Sequence, residues 1–284
     1  MSFTIEKASG EIEEFDLEKF RRSITRPGAS PELIEKLVKK AQKKLSEFKT
    51  SEDVFRFAFE QLKEEEPQIA ARYNLKRCML EFGPTGFPFE QFVAEIFKAQ
   101  QYQTETNQIV KGWCVDHEID LIAKKDNESF MVECKFHNQL GNKSHVQVPL
   151  YTEARFHDIQ KTWKPDSPEH KLTHTWVVTN TTFTYEALKY SNCVGIKLTS
   201  WDYPKEENLA QLIVKFKLYP ITAIISLTSA QKKLFIKEGF TLAKDVEKNR
   251  DILKKSGMSD SEISGLIQEC NLLCGCVAPK LRPK

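Results

Sequence analysis

The sequence contains no apolar stretch that approaches the roughly eighteen residues needed to cross a membrane. It also begins without the apolar core of a secretory signal, since MSFTIEKASGEIEEF places acidic residues close to the start. Its 42 basic and 40 acidic side chains leave a formal net charge of only +2, so bulk charge identifies no polyanionic partner. The seven cysteines are odd in number and scattered, which argues against a disulfide framework. These absences predict a globular cytoplasmic protein with no membrane partner.

Three of the cysteines form a CxxxCxC cluster near the C-terminus, at Cys270, Cys274 and Cys276. A structural zinc ion needs four ligands, which are cysteines and histidines in most such sites. No histidine lies near the cluster, and a fourth ligand is therefore missing. The spacing favours ordinary buried thiols over a metal site.

The chain length suits two or three domains, and turn-forming residues divide it into three segments. The first segment, residues 1–83, opens with two short predicted strands joined by a Ser-Gly turn, and helices follow. Polar capping residues or a proline mark each helix start. The four predicted helices begin near Asp16, Ser30, either Thr50 or Ser51, and Pro67. The Gly83-Pro84 pair then marks the end of this segment.

Residues 84–220 alternate predicted helices and strands, which is typical of an α/β domain. Strands are predicted near 108–114, 117–124, 130–136, 174–179 and 194–198, and helices near 89–99, 145–162 and 183–191. The apolar run from Leu212 to Leu218 predicts a last strand. Residues 221–284 are predicted to form an all-helical segment with short glycine-containing turns, and this segment is mildly basic.

The chemistry is concentrated in HEIDLIAKKDNESFMVECKFH, residues 117–137, where two predicted strands flank a polar turn. If Asp126 and Ser129 close that turn, every cross-strand pair on one face is apolar, and the register is self-consistent. In this register Leu121 faces Cys134. The apolar face would consist of Ile119, Leu121, Ala123, Val132, Cys134 and Phe136.

The opposite face of the same hairpin carries charge. The predicted register places Asp120 opposite Lys135, with Glu133 two residues along on the same side. Two nearby carboxylates repel unless a cation lies between them, and hard oxygen ligands favour Mg²⁺ or Mn²⁺. Such a metal can polarise a phosphodiester and activate water, while a lysine stabilises the developing charge. An ordinary charged hairpin is the alternative, because the E-x-K pattern is common.

The middle segment resembles a type IV (Mrr-like) restriction endonuclease domain of the PD-(D/E)xK superfamily. The matching pieces, in order, are GFPFEQFVAEIF, EIDLIA, MVECKFH and WVVTNTTFTYEALKYSNCVGIKLTSWDYP. The resemblance implies a fold with a mixed central sheet flanked by helices. It also implies that this domain hydrolyses DNA with a divalent metal ion. It further implies double-stranded DNA as the substrate, including modified DNA, and a homodimer or a higher homo-oligomer.

The resemblance also implies roles for individual residues. Asp120, Glu133 and Glu90 correspond to the metal ligands, and Lys135 to the residue that positions the attacking water. Relatives often add a glutamine from the following helix, and Gln147 is the candidate.

Three neighbours of these residues leave alternatives open. Glu118 lies on the same face as Asp120 and could replace or supplement it as a ligand. His137 could touch a phosphate, although a plain exposed histidine is favoured. For Thr179-Asn180, a turn is favoured over a phosphate contact.

The first segment resembles an ATP-cone, the nucleotide-sensing module of ribonucleotide reductases and their repressor. The resemblance rests on the Lys7 to Gly10 turn, Phe15-Asp16, Lys19-Phe20 and IAARYNLKR. It implies ATP or dATP as an effector, bound near Lys7, Lys19 and Arg22. The turn reads Lys-Ala-Ser-Gly here, whereas the family usually has Lys-Arg-Asp-Gly.

The last segment resembles tandem helix-hairpin-helix modules, which bind DNA phosphates through backbone N–H groups at helix starts. Lys232, Lys233, Lys254 and Lys255 could add positive charge, and a protein-interaction element is the alternative. Together the three segments predict a nucleotide-regulated, metal-dependent DNA endonuclease. Two other functions stay open, namely a non-cleaving nucleotide-responsive DNA-binding regulator and an RNA-processing nuclease.

Overall fold

The computed structural model describes residues 3–163 and 172–275. Cys276, the last member of the CxxxCxC cluster, lies outside the described residues. None of the helices within those ranges is both long and apolar enough to cross a membrane.

The N-terminal segment is a small antiparallel hairpin followed by five helices. Its strands are β1 (Thr4–Glu6) and β2 (Ile12–Glu14). Its helices are α1 (Leu17–Thr25), α2 (Pro31–Lys43), α3 (Ser51–Glu65), α4 (Pro67–Tyr73) and α5 (Leu75–Leu80). The predicted capping residues are confirmed, because Asp16, Ser30 and Thr50 each accept hydrogen bonds from backbone N–H groups of the first turn.

The middle segment contains a five-stranded mixed sheet between helices. Its strands are β3 (Gln103–Lys111), β4 (Asp116–Lys125), β5 (Glu128–Lys135), β7 (His174–Thr179) and β9 (Lys197–Thr199), in that spatial order. The first three strands run antiparallel, and β5, β7 and β9 run parallel. A second, two-stranded sheet pairs β6 (Lys143–Ser144) with β8 (Thr182–Phe183). The predicted mixed sheet with flanking helices is confirmed.

Helices cover both faces of the sheet. They are α6 (Phe87–Ala99), α7 (Gln147–Gln160), α8 (Tyr185–Val194) and α9 (Leu209–Phe216). On one face α6 contributes Phe89 and Phe92 to the main hydrophobic core. On the other, α7 contributes Phe156 and Ile159 to a separate cluster that includes Met131 of β5. Side chains at the sheet end between α6 and α7 can therefore approach from both layers.

The β4–β5 hairpin has a different register from the predicted one. Leu121 pairs with Val132 rather than with Cys134, a shift of two residues. The turn has two residues, as expected, but it begins one residue earlier, at Asp126, which adopts a φ of 53°. A shift of two residues keeps each side chain on its original face, since strand side chains alternate with a period of two.

One member of the predicted apolar face is misplaced. Leu121 and Cys134 lie in the main core, as expected, whereas Ile119 packs on the α7 side with Met131. The β4–β5 ladder stops at Leu121, and β4 then pairs only with β3, where Asn107 has a φ of 52° between the Thr106–Leu121 and Gln108–Ile119 pairs and interrupts the regular alternation. For the same reason Asp120 does not pair with Lys135.

The predicted last strand at Leu212–Leu218 is wrong, because most of this run belongs to α9. Asn208 and Gln211 form a capping box that starts the helix. The buried residues Leu209, Leu212 and Ile213 recur at helical spacing and join the main core. A short apolar run by itself does not distinguish a buried strand from a buried helix.

The tail is helical in its described part, as predicted. It contains α10 (Ser229–Lys237), α11 (Arg250–Lys255) and α12 (Asp260–Leu273), with short 3₁₀ turns between Ile221 and Asn249. Its buried side chains, including Phe235 and Leu266, belong to the same hydrophobic cluster as α6 and the sheet. Thr222 Oγ1 also donates a hydrogen bond of 2.8 Å to the main-chain carbonyl of Cys78. The tail and the sheet therefore share one core.

Candidate active site

Asp120 lies on β4 just before the pairing with β5 begins. Its Oδ2 accepts a hydrogen bond of 2.7 Å from the Cys134 backbone N–H, which binds the two strands together through a side chain. Burial raises the pKa of Asp120, and the Cys134 N–H counteracts that rise. The carboxylate is therefore fixed in position while its charge is poorly solvated.

Glu133 lies on β5 and faces α7. Its Oε2 accepts a hydrogen bond of 2.6 Å from Nη1 of Arg155, which projects from α7. Burial and the charge of Asp120 raise the pKa of Glu133, whereas Arg155 lowers it. Arg155 is thus the immediate counter-ion of a partly buried carboxylate.

Glu90 reaches the same region from the first turn of α6. Burial, followed by the charges of Asp120, Glu118 and Glu133, raises the pKa of Glu90 to about 7. Since neighbouring carboxylates cause part of this shift, side chains from α6, β4 and β5 share one electrostatic environment. The structure therefore brings the predicted acids together.

Lys135 occupies the exposed end of β5. Its positive charge lowers the pKa of both Asp120 and Glu133, so it belongs to the same group of charges. Glu118 is exposed and contributes negative charge to Glu90 and Asp120. Lys135 therefore adds an exposed positive charge beside these carboxylates.

Gln147 is the first residue of α7 and is exposed. Tyr151 follows one turn later, with its ring 5.0 Å from the Arg155 guanidinium carbon. Residues spaced by four share one face of a helix, so Gln147, Tyr151 and Arg155 form a row along α7. Gln147 and Tyr151 are exposed, whereas Arg155 is buried next to Glu133. The sequence interpretation missed Tyr151 and Arg155, and their spacing from Gln147 could have revealed them.

The expectation of a plain exposed His137 is wrong. His137 is half-buried, its Nε2 lies 3.0 Å from Ser144 Oγ, and burial followed by the charge of Lys135 lowers its pKa. The buried Asn180 side chain bonds both the N–H and the carbonyl of His137, at 2.9 and 2.7 Å. Asn180 thus joins the ends of β5 and β7, which supports a structural role for it.

The fit of these residues to a divalent cation follows from their chemistry. Across residues 3–163 and 172–275, no three acidic, histidine or cysteine side chains are grouped as a ready-made metal site. However, Asp120 and Glu133 are oxygen donors whose pKa values burial raises, and a cation would relieve this cost. Mg²⁺ commonly uses one or two protein carboxylates together with water and substrate phosphates. The two carboxylates therefore fit such an ion.

The raised pKa of Glu90 predicts a pH-dependent effect on stability. Its folded pKa of about 7 lies above the ordinary 4.5, so the stability it contributes is lost as pH rises from 4.5 through 7. Glu90→Gln should therefore stabilise the metal-free protein at pH 8 and change little at pH 4. Allowing for solvent screening of this half-buried group, we expect a gain of about 1–2 kcal/mol.

Thermal denaturation of metal-free wild type and Glu90→Gln at both pH values tests this prediction. Glu186→Gln is a matched control, because Glu186 also lies in the first turn of a helix but is exposed. Equal effects of Glu90→Gln at the two pH values would contradict the shifted titration.

Comparison with known proteins identifies relatives for most of the chain. Residues 84–210 match the family described as Restriction endonuclease, of the Mrr type, and residues 219–274 match the family described as AF1548-like, C-terminal. An uncharacterized protein of Archaeoglobus fulgidus is 36% identical over 184 residues, which span 64% of this chain and 100% of that protein. The chain belongs to the AF1548-like family.

A solved structure of this family supports the same conclusion. The crystal structure of the protein of unknown function AF1548 matches with a TM-score of 0.56 and 35% identity, over 68% of this chain and 100% of that one. The AF1548-like chain thus carries a restriction-endonuclease-like domain, as the sequence predicted. Both family matches begin after residue 83, and the ATP-cone and helix-hairpin-helix resemblances stay predictions.

Proposed function

We propose that this protein is a divalent-metal-dependent endonuclease that hydrolyses phosphodiester bonds in DNA. The observation that carries the proposal is the arrangement of Asp120, which accepts a hydrogen bond from the Cys134 N–H, next to Glu133 and Lys135 on the same strand as Cys134. Glu90 lies close enough for these carboxylates to raise its pKa. This arrangement occurs within the domain that matches restriction endonucleases. Partly buried carboxylates beside an exposed lysine suit the hydrolysis of an anionic ester.

Each residue has a defined role in this proposal. Asp120 and Glu133 hold Mg²⁺ or Mn²⁺, and Glu90 completes the shell directly or through water when it is ionised. The bound metal supplies Lewis acidity and lowers the pKa of its water. Lys135 positions the attacking water and stabilises the charge that develops on the phosphate. Gln147, exposed at the start of α7, assists by contacting substrate or water.

Incubation with nucleic acids tests the proposal directly. The purified chain is mixed with plasmid DNA, methylated DNA or structured RNA, with Mg²⁺ or Mn²⁺, with and without ATP. Lys135→Ala should reduce DNA cleavage by at least about 100-fold, because one charge stabilising the transition state is lost. Lys189→Ala, which removes an exposed lysine from α8, should change nothing.

The other outcomes separate the alternatives. Cleavage that survives Lys135→Ala would overturn the site assignment. Cleavage of RNA alone would identify an RNA-processing nuclease. Binding of DNA without cleavage of any substrate would favour the non-cleaving regulator.

We also propose that the N-terminal segment binds ATP or dATP. Its hairpin followed by helices has the order that the sequence pattern of residues 1–83 predicts. Lys7 lies 3.0 Å from Glu11 and 2.9 Å from Glu13, so a triphosphate would have to displace these ion pairs. Lys19 is likewise paired with Glu13, and Arg22 lies 3.8 Å from Asp16.

Binding of fluorescent ATP and dATP analogues tests this second proposal. Lys7→Ala should weaken binding, whereas Lys39→Ala, on the exposed surface of α2, should not. Absence of binding to the wild type would leave the segment as a structural or oligomerisation element.

Two further features concern how DNA is engaged. We propose a homodimer or larger assembly, since two active sites allow both strands to be cut, and sedimentation with and without DNA measures this.

The tail would contact phosphates through Lys233, Lys254 and Lys255. Lys232 is less available, because its side chain is only 14% exposed and lies 3.5 Å from Glu81.

A further inference from the structure

Arg155 is a buried cation within the candidate site. Its side chain is only 8% exposed, and Nη1 lies 2.6 Å from Oε2 of Glu133, whose side chain is 16% exposed. The two residues come from different layers of the fold, α7 and β5. Arg155 is therefore paired with Glu133, one of the two carboxylates that the proposed function assigns to the metal.

The hydrogen bonding of Arg155 is incomplete. A guanidinium has five N–H donors, yet Nε is buried without a hydrogen-bond partner among the described residues. The guanidinium carbon instead lies 5.0 Å from the Tyr151 ring, a favourable but less directional contact. An unsatisfied buried donor costs free energy. The pairing with Glu133 therefore balances the charge of Arg155 but leaves its Nε–H donor without a hydrogen bond.

The surrounding charges explain why a cation is needed there. Glu133 and Asp120 are partly buried, and the positive charge of Arg155 lowers the pKa of both. Without a cation these carboxylates would repel each other or take up protons. In the metal-free protein, the guanidinium supplies the positive charge that a divalent ion would otherwise supply.

We propose that Arg155 competes with the metal ion for Glu133. It holds the carboxylate in place while no metal is bound, and it releases Glu133 when the metal binds. This inference rests on the proposed function for the identity of Glu133 as a metal ligand. Arg155 is therefore a positioning residue that sets the metal affinity of the site.

Metal binding without DNA tests the inference independently of cleavage. Mn²⁺ is titrated into metal-free wild type, Arg155→Met and Arg155→Lys at pH 8, with calorimetry as the readout. Arg155→Met should bind Mn²⁺ at least about tenfold more tightly, equivalent to 1.4 kcal/mol. Arg155→Lys restores a cation and should return the affinity toward the wild-type value.

Stability provides a second readout that moves in the opposite direction. Metal-free Arg155→Met should have a lower melting temperature than wild type at pH 8, because the carboxylates lose their counter-ion. Saturating Mn²⁺ should raise the melting temperature of Arg155→Met by more than it raises that of wild type. Lys161→Met, which removes an exposed charge just beyond α7, should show neither effect.

An NMR measurement on the wild type keeps the test independent of the folding of any variant. Mg²⁺ should shift the Arg155 Nε–Hε signal and increase its exchange with water, since the guanidinium leaves Glu133. The signal is assigned in the wild type through its connectivity to the Arg155 side-chain carbons.

The results separate failure of this inference from failure of the proposed function. If wild type and Arg155→Met bind Mn²⁺ equally, or the variant binds more weakly, Arg155 has a structural role and the inference is overturned. An Arg155 signal that Mg²⁺ leaves unchanged has the same consequence. If no protein binds metal at all, the proposed metal-dependent function fails as well.

Discussion

Asp120→Asn is expected to reduce DNA cleavage by about three orders of magnitude, because metal and transition-state stabilisation are lost together. The substitution removes the charge but keeps a carbonyl oxygen that can accept the hydrogen bond from Cys134 N–H. The strand junction therefore survives, and the loss of activity reports on charge rather than on folding. Rates of plasmid cleavage under saturating Mg²⁺ measure the effect.

The same variant should be more stable than wild type in the absence of metal. Burial raises the pKa of Asp120, so the ionised carboxylate destabilises the folded state at pH 8. Removing its charge removes that cost. Asp116→Asn is the matched control, since Asp116 lies on the same strand but is exposed. Full cleavage by Asp120→Asn would contradict its role as a metal ligand.

Phe235→Ala in the tail is expected to lower the free energy of unfolding by about 3–5 kcal/mol. Phe235 is 1% exposed and belongs to the hydrophobic cluster that includes α6 and the sheet. Its ring lies 5.8 Å from that of Phe240, so its removal leaves a cavity that neighbouring side chains cannot readily fill. Denaturant titration measures the loss.

The shared core also predicts how unfolding proceeds. Phe235→Ala in the tail should move the transition in tryptophan fluorescence to a lower denaturant concentration, because all four tryptophans lie within residues 84–220 and tail and sheet unfold together. Leu234→Ala, at a neighbouring position that is 38% exposed, should cost less than about 1 kcal/mol. A tryptophan fluorescence transition that Phe235→Ala leaves unchanged would contradict a core shared by tail and sheet.

The accuracy of the predictions depended on the distance over which each interaction acts. The start of α1 was predictable because Asp16 accepts hydrogen bonds from Glu18 and Lys19, two and three residues along the chain. The last strand was mispredicted because the apolar residues from Leu212 onward suit either a buried strand or a buried helix. There, the capping pair of Asn208 and Gln211 favours the helix.

The candidate site shows the same division. The motif EIDLIA with MVECKFH predicts Asp120, Glu133 and Lys135 because strand side chains alternate with a period of two. This period keeps Glu133 and Lys135 of β5 on one face even though the register is wrong by two positions. The exact pairing depended instead on the conformation of Asp126, which residue type alone does not determine.

Other properties of the site could not be read from local sequence. Arg155 meets Glu133 across 22 residues of chain, and the pKa of Glu90 depends on carboxylates from two strands. The tail joins the main core through contacts such as Thr222 with Cys78, which are 144 residues apart. Capping and periodicity are local and follow from adjacent residues. Counter-ions, desolvation and a shared core arise only when distant segments pack together.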